Sequence, residues 1–136
     1  MTRSDLMAEI RRANSTGHWS DLVLSTRRAD DPETFHVIFA LAIEQQSIDA
    51  TVYDAARLLY EARLTCTVSC ELAIEAMLPS WDISIEEVPW YLRDHFGVDH
   101  VRQALMNVRR RMSSNREQRV LDTIEYWLGC DSSNGG

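Results

Sequence analysis

The sequence predicts an all-α protein with six to eight helices that pack as a bundle of αα-hairpins. Hydrophobic residues recur at helical spacing along most of the chain, residue types that cap helices precede these segments, and convincing strand alternation is absent. The most apolar segment, 35–43, contains one polar residue, His36, and its composition predicts a helix at the centre of the core. The other helices are expected to surround it.

Two amphipathic helices are predicted at the N-terminus, over 4–14 and 18–28. Gly17 interrupts the chain between them. Arg27 and Arg28 stand near the end of the second helix, where positive charge complements the helix dipole. Both helices are expected to bury one apolar face.

The central helix is predicted to begin at Pro32 and to continue to Gln46. Asp31 can act as its N-cap, because a carboxylate accepts hydrogen bonds from free N–H groups, and proline loses no donor at the first helical position. A turn at 47–49 is expected to lead into a fourth helix that ends at Arg63. The stripe that this fourth helix should bury is Val52, Ala55, Ala56, Leu59 and Ala62.

The middle of the chain has the least regular pattern. A fifth helix is predicted to open at Thr65 or Thr67 and to stop before Pro79. Ser84 begins a capping-box pattern, but Pro89 follows where it would remove a helical hydrogen bond. Either one helix is kinked here, or a turn ends and a sixth helix begins with Pro89 at its first position. The second alternative is preferred.

Capping residues predict the last two helices. Gly97 is expected to end the sixth helix in the left-handed conformation, and Asp99 is expected to cap the seventh. Ser113 or Ser114 should cap the eighth, which Gly129 ends. The residues that these two helices should bury are Val101, Ala104, Leu105, Val108, Met112, Val120, Leu121, Ile124, Trp127 and Leu128.

The spacing of helix pairs leaves two architectures open. Pairs of helices are predicted to begin at Pro32, Thr67 and Asp99, which are nearly evenly spaced. Such spacing suits a short helical repeat stack of the HEAT or TPR kind. Similar helix lengths in an irregular bundle would produce the same spacing, so both alternatives stay open.

Composition indicates one globular domain. The chain has 136 residues, of which 45% are hydrophobic and 26% charged, so we assign 1–129 to a single all-α domain. Residues 130–136 have nothing to bury and are expected to form a flexible C-terminal tail. No apolar run approaches the roughly 20 residues that span a bilayer, and residues 1–14 lack a signal-peptide pattern. We therefore expect no membrane association and a cytoplasmic location.

Residue usage excludes several classes of function. All 14 basic residues are Arg, so Lys-based Schiff-base chemistry and the P-loop lysine are excluded. The five glycines are scattered, which argues against a glycine-rich phosphate loop. The net charge of −7 opposes non-specific binding to nucleic acid. No cofactor is predicted.

Two Asp–His neighbours that straddle a predicted helix break are the strongest candidates for chemistry: Asp94, His95, Asp99 and His100. Imidazole and carboxylate side chains together can bind a metal or exchange protons. Cys66 and Cys70 could complete a tetrahedral zinc site with the two histidines. The simpler interpretation is structural, because Asp99 is explained as a cap and the cysteines as small core residues. The structural interpretation is preferred.

Six arginines form a possible basic ridge on the last two helices and their turn: Arg102, Arg109, Arg110, Arg111, Arg116 and Arg119. Such a ridge can contact phosphates or an acidic protein. The alternative is an ordinary solvated face on which the arginines pair with Glu117, Asp122 and Glu125.

Trp81, Trp90 and Tyr91 surround the irregular segment before the sixth helix. Trp and Tyr are frequent anchors of protein interfaces, because they bury a large area at low entropic cost. The alternative is that the three rings cap one end of the core. Both interpretations are open.

These observations predict a protein–protein interaction or regulatory module, an adaptor or a neutralising partner of another protein, without catalytic activity of its own. The predicted partner-binding residues are Trp81, Trp90, Tyr91, Arg102, Arg109 and Arg110. One alternative is a small metal-binding or hydrolytic protein that uses the two Asp–His neighbours. A second is nucleic-acid binding through the arginine ridge. The identity of the partner and the oligomeric state are not predicted.

Overall fold

The computed structural model describes residues 1–45, 51–111 and 114–129, and within them it contains eight α-helices and no strand. The helices are α1 (Arg3–Thr16), α2 (Trp19–Ala29), α3 (Pro32–Ala42), α4 (Thr51–Ala62), α5 (Cys70–Met77), α6 (Glu87–Phe96), α7 (Val98–Arg109) and α8 (Asn115–Leu128). The all-α prediction is confirmed. Among these helices, none has both the length and the hydrophobicity that crossing a membrane requires.

The start of α3 agrees with the prediction and its end does not. The Asp31 carboxylate accepts a hydrogen bond from the Thr34 N–H, and Pro32 occupies the first turn. The helix stops at Ala42 rather than at Gln46, because the next carbonyl, that of Ile43, accepts a hydrogen bond from the Ser80 hydroxyl (2.7 Å). This hydrogen bond to a distant part of the chain takes the place of the one that a further helical turn would make. The turn predicted at 47–49 lies outside the described residues.

The helix with the most neighbours is α4, not α3. It packs against α1, α2, α3 and α6. The apolar segment of α3 is buried on one side through Phe35 and Ile38, whereas His36 and Ala40 are exposed. The third, fifth and seventh helices begin at Pro32, Cys70 and Val98, so their starts are less evenly spaced than predicted.

The fifth helix begins later than predicted. Ser69 is its N-cap and accepts a hydrogen bond from the Leu72 N–H. The segment 64–69 before it is not helical, and its N–H groups at Thr65 and Cys66 donate to Asp30 and His95. These contacts hold the segment against the end of α2 and against α6, so the helix begins only after the Ser69 cap and not at Thr65 or Thr67.

The sixth helix begins at Glu87, so the prediction of Pro89 at its first position is wrong. Pro89 lies in the first turn, where a missing N–H removes no helical hydrogen bond. Gly97 has φ 90° and ψ 149°, which is not the left-handed helical conformation predicted for it. It joins α6 directly to α7, and Asp99 therefore lies within the first turn of α7 and makes no capping hydrogen bond.

The predicted buried stripes of α7 and α8 are confirmed for the described residues, except that Trp127 is half-buried and donates from Nε1 to the Ile83 carbonyl (2.9 Å). Ser114 is the N-cap of α8, and Gly129 follows its last residue, as predicted. Met112, Ser113 and the predicted C-terminal tail at 130–136 lie outside the described residues.

A buried carboxyl group joins α4 to α6. Glu87 is buried, and its Oε2 accepts a hydrogen bond from the Tyr53 hydroxyl (3.1 Å). Its Oε1 has no hydrogen-bond partner among the described residues. Burial raises the pKa of the Glu87 carboxyl, because a charged group loses hydration in the interior.

Replacing Glu87 with glutamine is expected to stabilise the protein near pH 7 by about 1 kcal/mol, because the variant retains an acceptor for Tyr53 and buries no charge. A raised native pKa means that the folded wild type holds its proton more strongly than the unfolded chain does. The stability that the protonated Glu87 contributes to the wild type is therefore lost as pH rises through its native pKa. The advantage of Glu87→Gln over the wild type shrinks as pH falls towards the ordinary glutamate range. Urea denaturation at several pH values measures this. The control is Asp99→Asn, because Asp99 is exposed and its side chain makes no hydrogen bond or ion pair with the described residues, and a pH-independent difference contradicts the prediction.

Candidate functional site

Two of the three aromatic residues predicted to anchor a partner belong to the core. Trp81 and Tyr91 are each 2% exposed. The Tyr91 ring stacks on Phe35 with the ring centroids 6.3 Å apart. Trp90 is half-buried and packs edge-on against Trp127. Trp81 and Tyr91 are thus unable to meet a partner in this fold, and their predicted role at an interface is corrected to a structural one.

The two Asp–His neighbours do not converge on one site. His95 Nε2 accepts a hydrogen bond from the Cys66 N–H (3.1 Å), and the Asp94 carboxylate accepts one from Arg93 Nε (3.2 Å). The ring of Phe96 contacts both His95 and His100, with centroid distances of 4.6 Å and 5.2 Å.

The cysteines do not complete a ligand set either. Cys66 and Cys70 are buried free thiols, and burial raises the pKa of the Cys70 thiol to about 12. A thiol binds zinc as a thiolate, so this environment opposes metal binding. The described residues include no group of three His, Cys, Asp or Glu side chains that could hold a metal ion. The contacts of these residues therefore do not support the metal-binding alternative.

A cavity of about 470 Å³ opens where α4 ends beside α6, and we call it the α4–α6 pocket. It is lined by Tyr60, Arg63, Leu64, Tyr91, Asp94 and His95. A cleft of about 620 Å³ adjoins it and shares Tyr60, Arg63 and Asp94. Of these residues, only Asp94, His95 and Tyr91 were singled out from the sequence, and for other roles.

Side chains from α2 and α6 hold the segment that forms one wall of this pocket. Arg27 donates to the carbonyls of Glu61 (2.8 Å) and Ala62 (3.3 Å) at the end of α4. The Tyr91 hydroxyl donates to the Leu64 carbonyl at 2.7 Å. Arg27 therefore caps α4 from a neighbouring helix, a role that the dipole argument for α2 did not foresee. The wall is fixed by residues remote in sequence.

Arg63 lines this pocket in a backbone conformation that was not predicted. It was predicted to end the fourth helix, but it follows Ala62 with φ 54°, and it is the one non-glycine among the described residues with positive φ. Its guanidinium is exposed and makes no hydrogen bond or ion pair with the described part of the chain. The sequence offers no sign of this conformation, because glycine or asparagine is the usual residue there.

Three of the six arginines of the predicted ridge make ion pairs or hydrogen bonds with other residues. Arg109 pairs with Asp122 (2.9 Å) and with Glu125 (3.2 Å), which joins α7 to α8. Arg111 pairs with two glutamates of α5, and Arg116 donates to a loop carbonyl. Arg109 pairs as the solvated-face alternative expected, whereas Arg111 and Arg116 find partners on α5 and in the loop after it, which were not predicted.

The other three arginines of the ridge differ from these. Arg102, Arg110 and Arg119 are exposed, and their side chains make no hydrogen bond or ion pair with residues that the structure describes. A shallow cleft of about 390 Å³ lies between α7 and α8 beside Arg102 and Tyr126. Of the three, Arg102 lines this cleft, whereas Arg110 and Arg119 lie on the same helix pair outside the lining of the cleft.

Two large hydrophobic side chains are exposed on the same helix pair. Met106 is 50% exposed and Tyr126 is 63% exposed. Met106 lies four residues from both Arg102 and Arg110, so the three share one line along α7. The α7–α8 face is defined here by Arg102, Met106, Arg110, Arg119 and Tyr126.

Comparison of the chain with family models, with curated proteins and with solved structures found no match. The α4–α6 pocket and the α7–α8 face therefore have to be interpreted from their own geometry.

Proposed function

We propose that this chain is a protein-interaction module that binds an acidic surface of another protein through the α7–α8 face. The observation that carries the proposal is that Arg102, Arg110 and Arg119 are exposed and make no ion pair with the described residues, on a helix pair that also exposes Met106 and Tyr126. The module would act as an adaptor or as a neutralising partner, without catalysis of its own. Its two described cysteines are buried free thiols, which is compatible with the reducing cytoplasm.

The chemistry of the face favours an acidic partner with an apolar contact residue. Arg and Tyr are enriched among the residues that dominate binding energy at interfaces, because each combines a large contact area with directional hydrogen bonding. A guanidinium without an intramolecular partner can form bidentate hydrogen bonds to a carboxylate. Burial of Met106 by a partner would exclude water from these ion pairs and strengthen them.

A protein is favoured over nucleic acid as the partner. Each phosphate contact needs an available cation, yet Arg109 in the centre of the cleft is neutralised by Asp122 and Glu125. The net charge of the chain is −7, and an extended phosphate backbone would pass more of this acidic surface than a compact acidic patch held at the α7–α8 face. The three free arginines suit a small acidic epitope better than a continuous phosphate backbone.

Site-specific photo-crosslinking tests the proposal. The crosslinking amino acid p-benzoylphenylalanine is placed at position 106, and in a matched control at position 24, because Leu24 on α2 is exposed to a similar degree (45%). After irradiation in a lysate of the source organism, we expect one protein to be crosslinked from position 106 and not from position 24. The crosslinked peptide of that protein is expected to be rich in Asp and Glu.

Charge reversal distinguishes a specific face from adventitious capture. Arg102→Glu with Arg110→Glu is expected to reduce the crosslinking yield at position 106 at least about tenfold. Arg28→Glu reverses the charge of an exposed arginine on α2 that makes no ion pair with the described residues, and it should leave the yield unchanged. Equal yields at positions 106 and 24, no effect of the double reversal, or loss of the adduct on nuclease treatment would each contradict the proposal. Thermal denaturation checks that each variant is folded.

A further inference from the structure

We infer that the α4–α6 pocket is a binding site for a small organic acid, a molecule with one carboxylate and a flat or apolar body. This site lies on different elements from the α7–α8 face, so the inference is independent of the proposed function. Its volume of about 470 Å³ lies in the range of small-molecule sites.

The conformation of Arg63 is the first argument. A side chain with a Cβ atom is strained at φ 54°, which is why glycine normally occupies such positions after a helix. Backbone strain that is retained by the surrounding contacts is more frequent at binding sites than elsewhere. Here the strain places a guanidinium without an intramolecular partner among the described residues at the pocket. Such a group is suited to a carboxylate.

The tautomer of His95 is the second argument. Because Nε2 accepts the hydrogen bond from the Cys66 N–H, the neutral ring carries its proton on Nδ1. No partner within the described residues accepts a hydrogen bond from Nδ1. Because His95 and Arg63 both line the pocket, its lining includes a second side chain with an N–H donor.

The remaining lining residues define the rest of the ligand. Tyr60 contributes a half-buried aromatic ring, and the buried Leu64 and Tyr91 close the pocket, which favours a flat or apolar body. Asp94 contributes a negative charge that Arg93 compensates in part, through a hydrogen bond of 3.2 Å. A second acidic group on the ligand would be repelled by Asp94, so a monocarboxylate is favoured over a diacid.

Titration of the full ¹⁵N-labelled chain, followed by NMR, tests this inference. The test compounds are benzoate, 3-phenylpropionate and hexanoate, each paired with the alcohol that lacks the carboxylate. We expect at least one acid to shift the amide resonances of Arg63, Cys66 and His95 with a dissociation constant in the millimolar range. The corresponding alcohol is expected to bind at least about tenfold more weakly, because it lacks a charge-assisted hydrogen bond.

Substitution at Arg63 separates binding from folding. Arg63→Gly removes both the guanidinium and the strain, so it should abolish the preference for the acid while the Tm stays equal to or above that of the wild type. Arg28→Gln, the change of an exposed arginine elsewhere, should leave the affinity unchanged. Asp94→Asn should strengthen binding of the acid, because it removes a repulsive charge. Absence of shifts with all three acids, equal binding of acid and alcohol, or retained binding in Arg63→Gly would overturn the inference.

Discussion

Phe35→Ala is expected to lower the free energy of unfolding by about 3–5 kcal/mol, the largest effect of any substitution considered. Phe35 is 0% exposed, and its ring stacks on Phe39 and on Tyr91 with centroid distances of 5.3 Å and 6.3 Å. The change removes apolar contacts from α3 and α6 together and leaves a cavity between them. Since domains of this size are stable by about 5–15 kcal/mol, much of the total would be lost.

Urea denaturation monitored by circular dichroism measures this effect. The control is Leu72→Ala, because Leu72 is 57% exposed on α5 and its truncation should change the free energy of unfolding by no more than about 0.5 kcal/mol. A loss below about 1 kcal/mol in Phe35→Ala would show that the α3–α6 contact is not part of the tightly packed core.

Tyr91→Phe is expected to lower the free energy of unfolding by about 1–3 kcal/mol, although it removes a single oxygen atom. The Tyr91 hydroxyl is buried and donates to the Leu64 carbonyl at 2.7 Å. Without that donor, a buried carbonyl at the end of α4 loses its partner and is not rehydrated. The same denaturation experiment applies, with Leu72→Ala again as the control. A loss of stability no larger than that of Leu72→Ala would contradict the hydrogen bond.

Local sequence predicted the helix boundaries whose capping contacts are themselves local. Asp31 and Pro32 sufficed for α3, and Ser114 for α8, because a cap and its acceptor lie within four residues of each other. The end of α3 depends on Ser80, and the start of α5 depends on acceptors at Asp30 and His95. Partners that are about 30 or more residues away leave no mark on the local pattern.

The aromatic residues were ambiguous for a related reason. Trp81, Trp90 and Tyr91 have the composition of an interface, and composition alone does not state which side of a helix faces the core. The position of α6 against α4 and α8 decides it, and this position buries Tyr91 and half-buries Trp90. The arginines were easier to interpret, because charged side chains are exposed by default. Which of them find carboxylates depends on the pairing of α7 with α8.

The pocket could not be predicted from the sequence, because it forms at a helix end that no local residue pattern indicates. Arg63 continues the helical pattern of α4 and is followed by no glycine, so the pattern predicts one more helical residue. The chain leaves the helix there because Arg27 satisfies the last carbonyls and Tyr91 fixes Leu64. Neither Tyr60 nor Arg63 was predicted to line a cavity, because the cavity exists only with the observed end of α4.

The connection between α4 and α5 has a consequence for recognising related chains. Its path is set mainly through backbone atoms, which pair with Arg27 and Asp30 at the end of α2 and with Tyr91 and His95 on α6. Most side chains of the connection are therefore expected to vary more freely in related chains than these four partners. An Arg-x-x-Asp pair near the end of the second helix and a Tyr-x-x-x-His pair on the sixth are expected to be retained together in chains of the same fold.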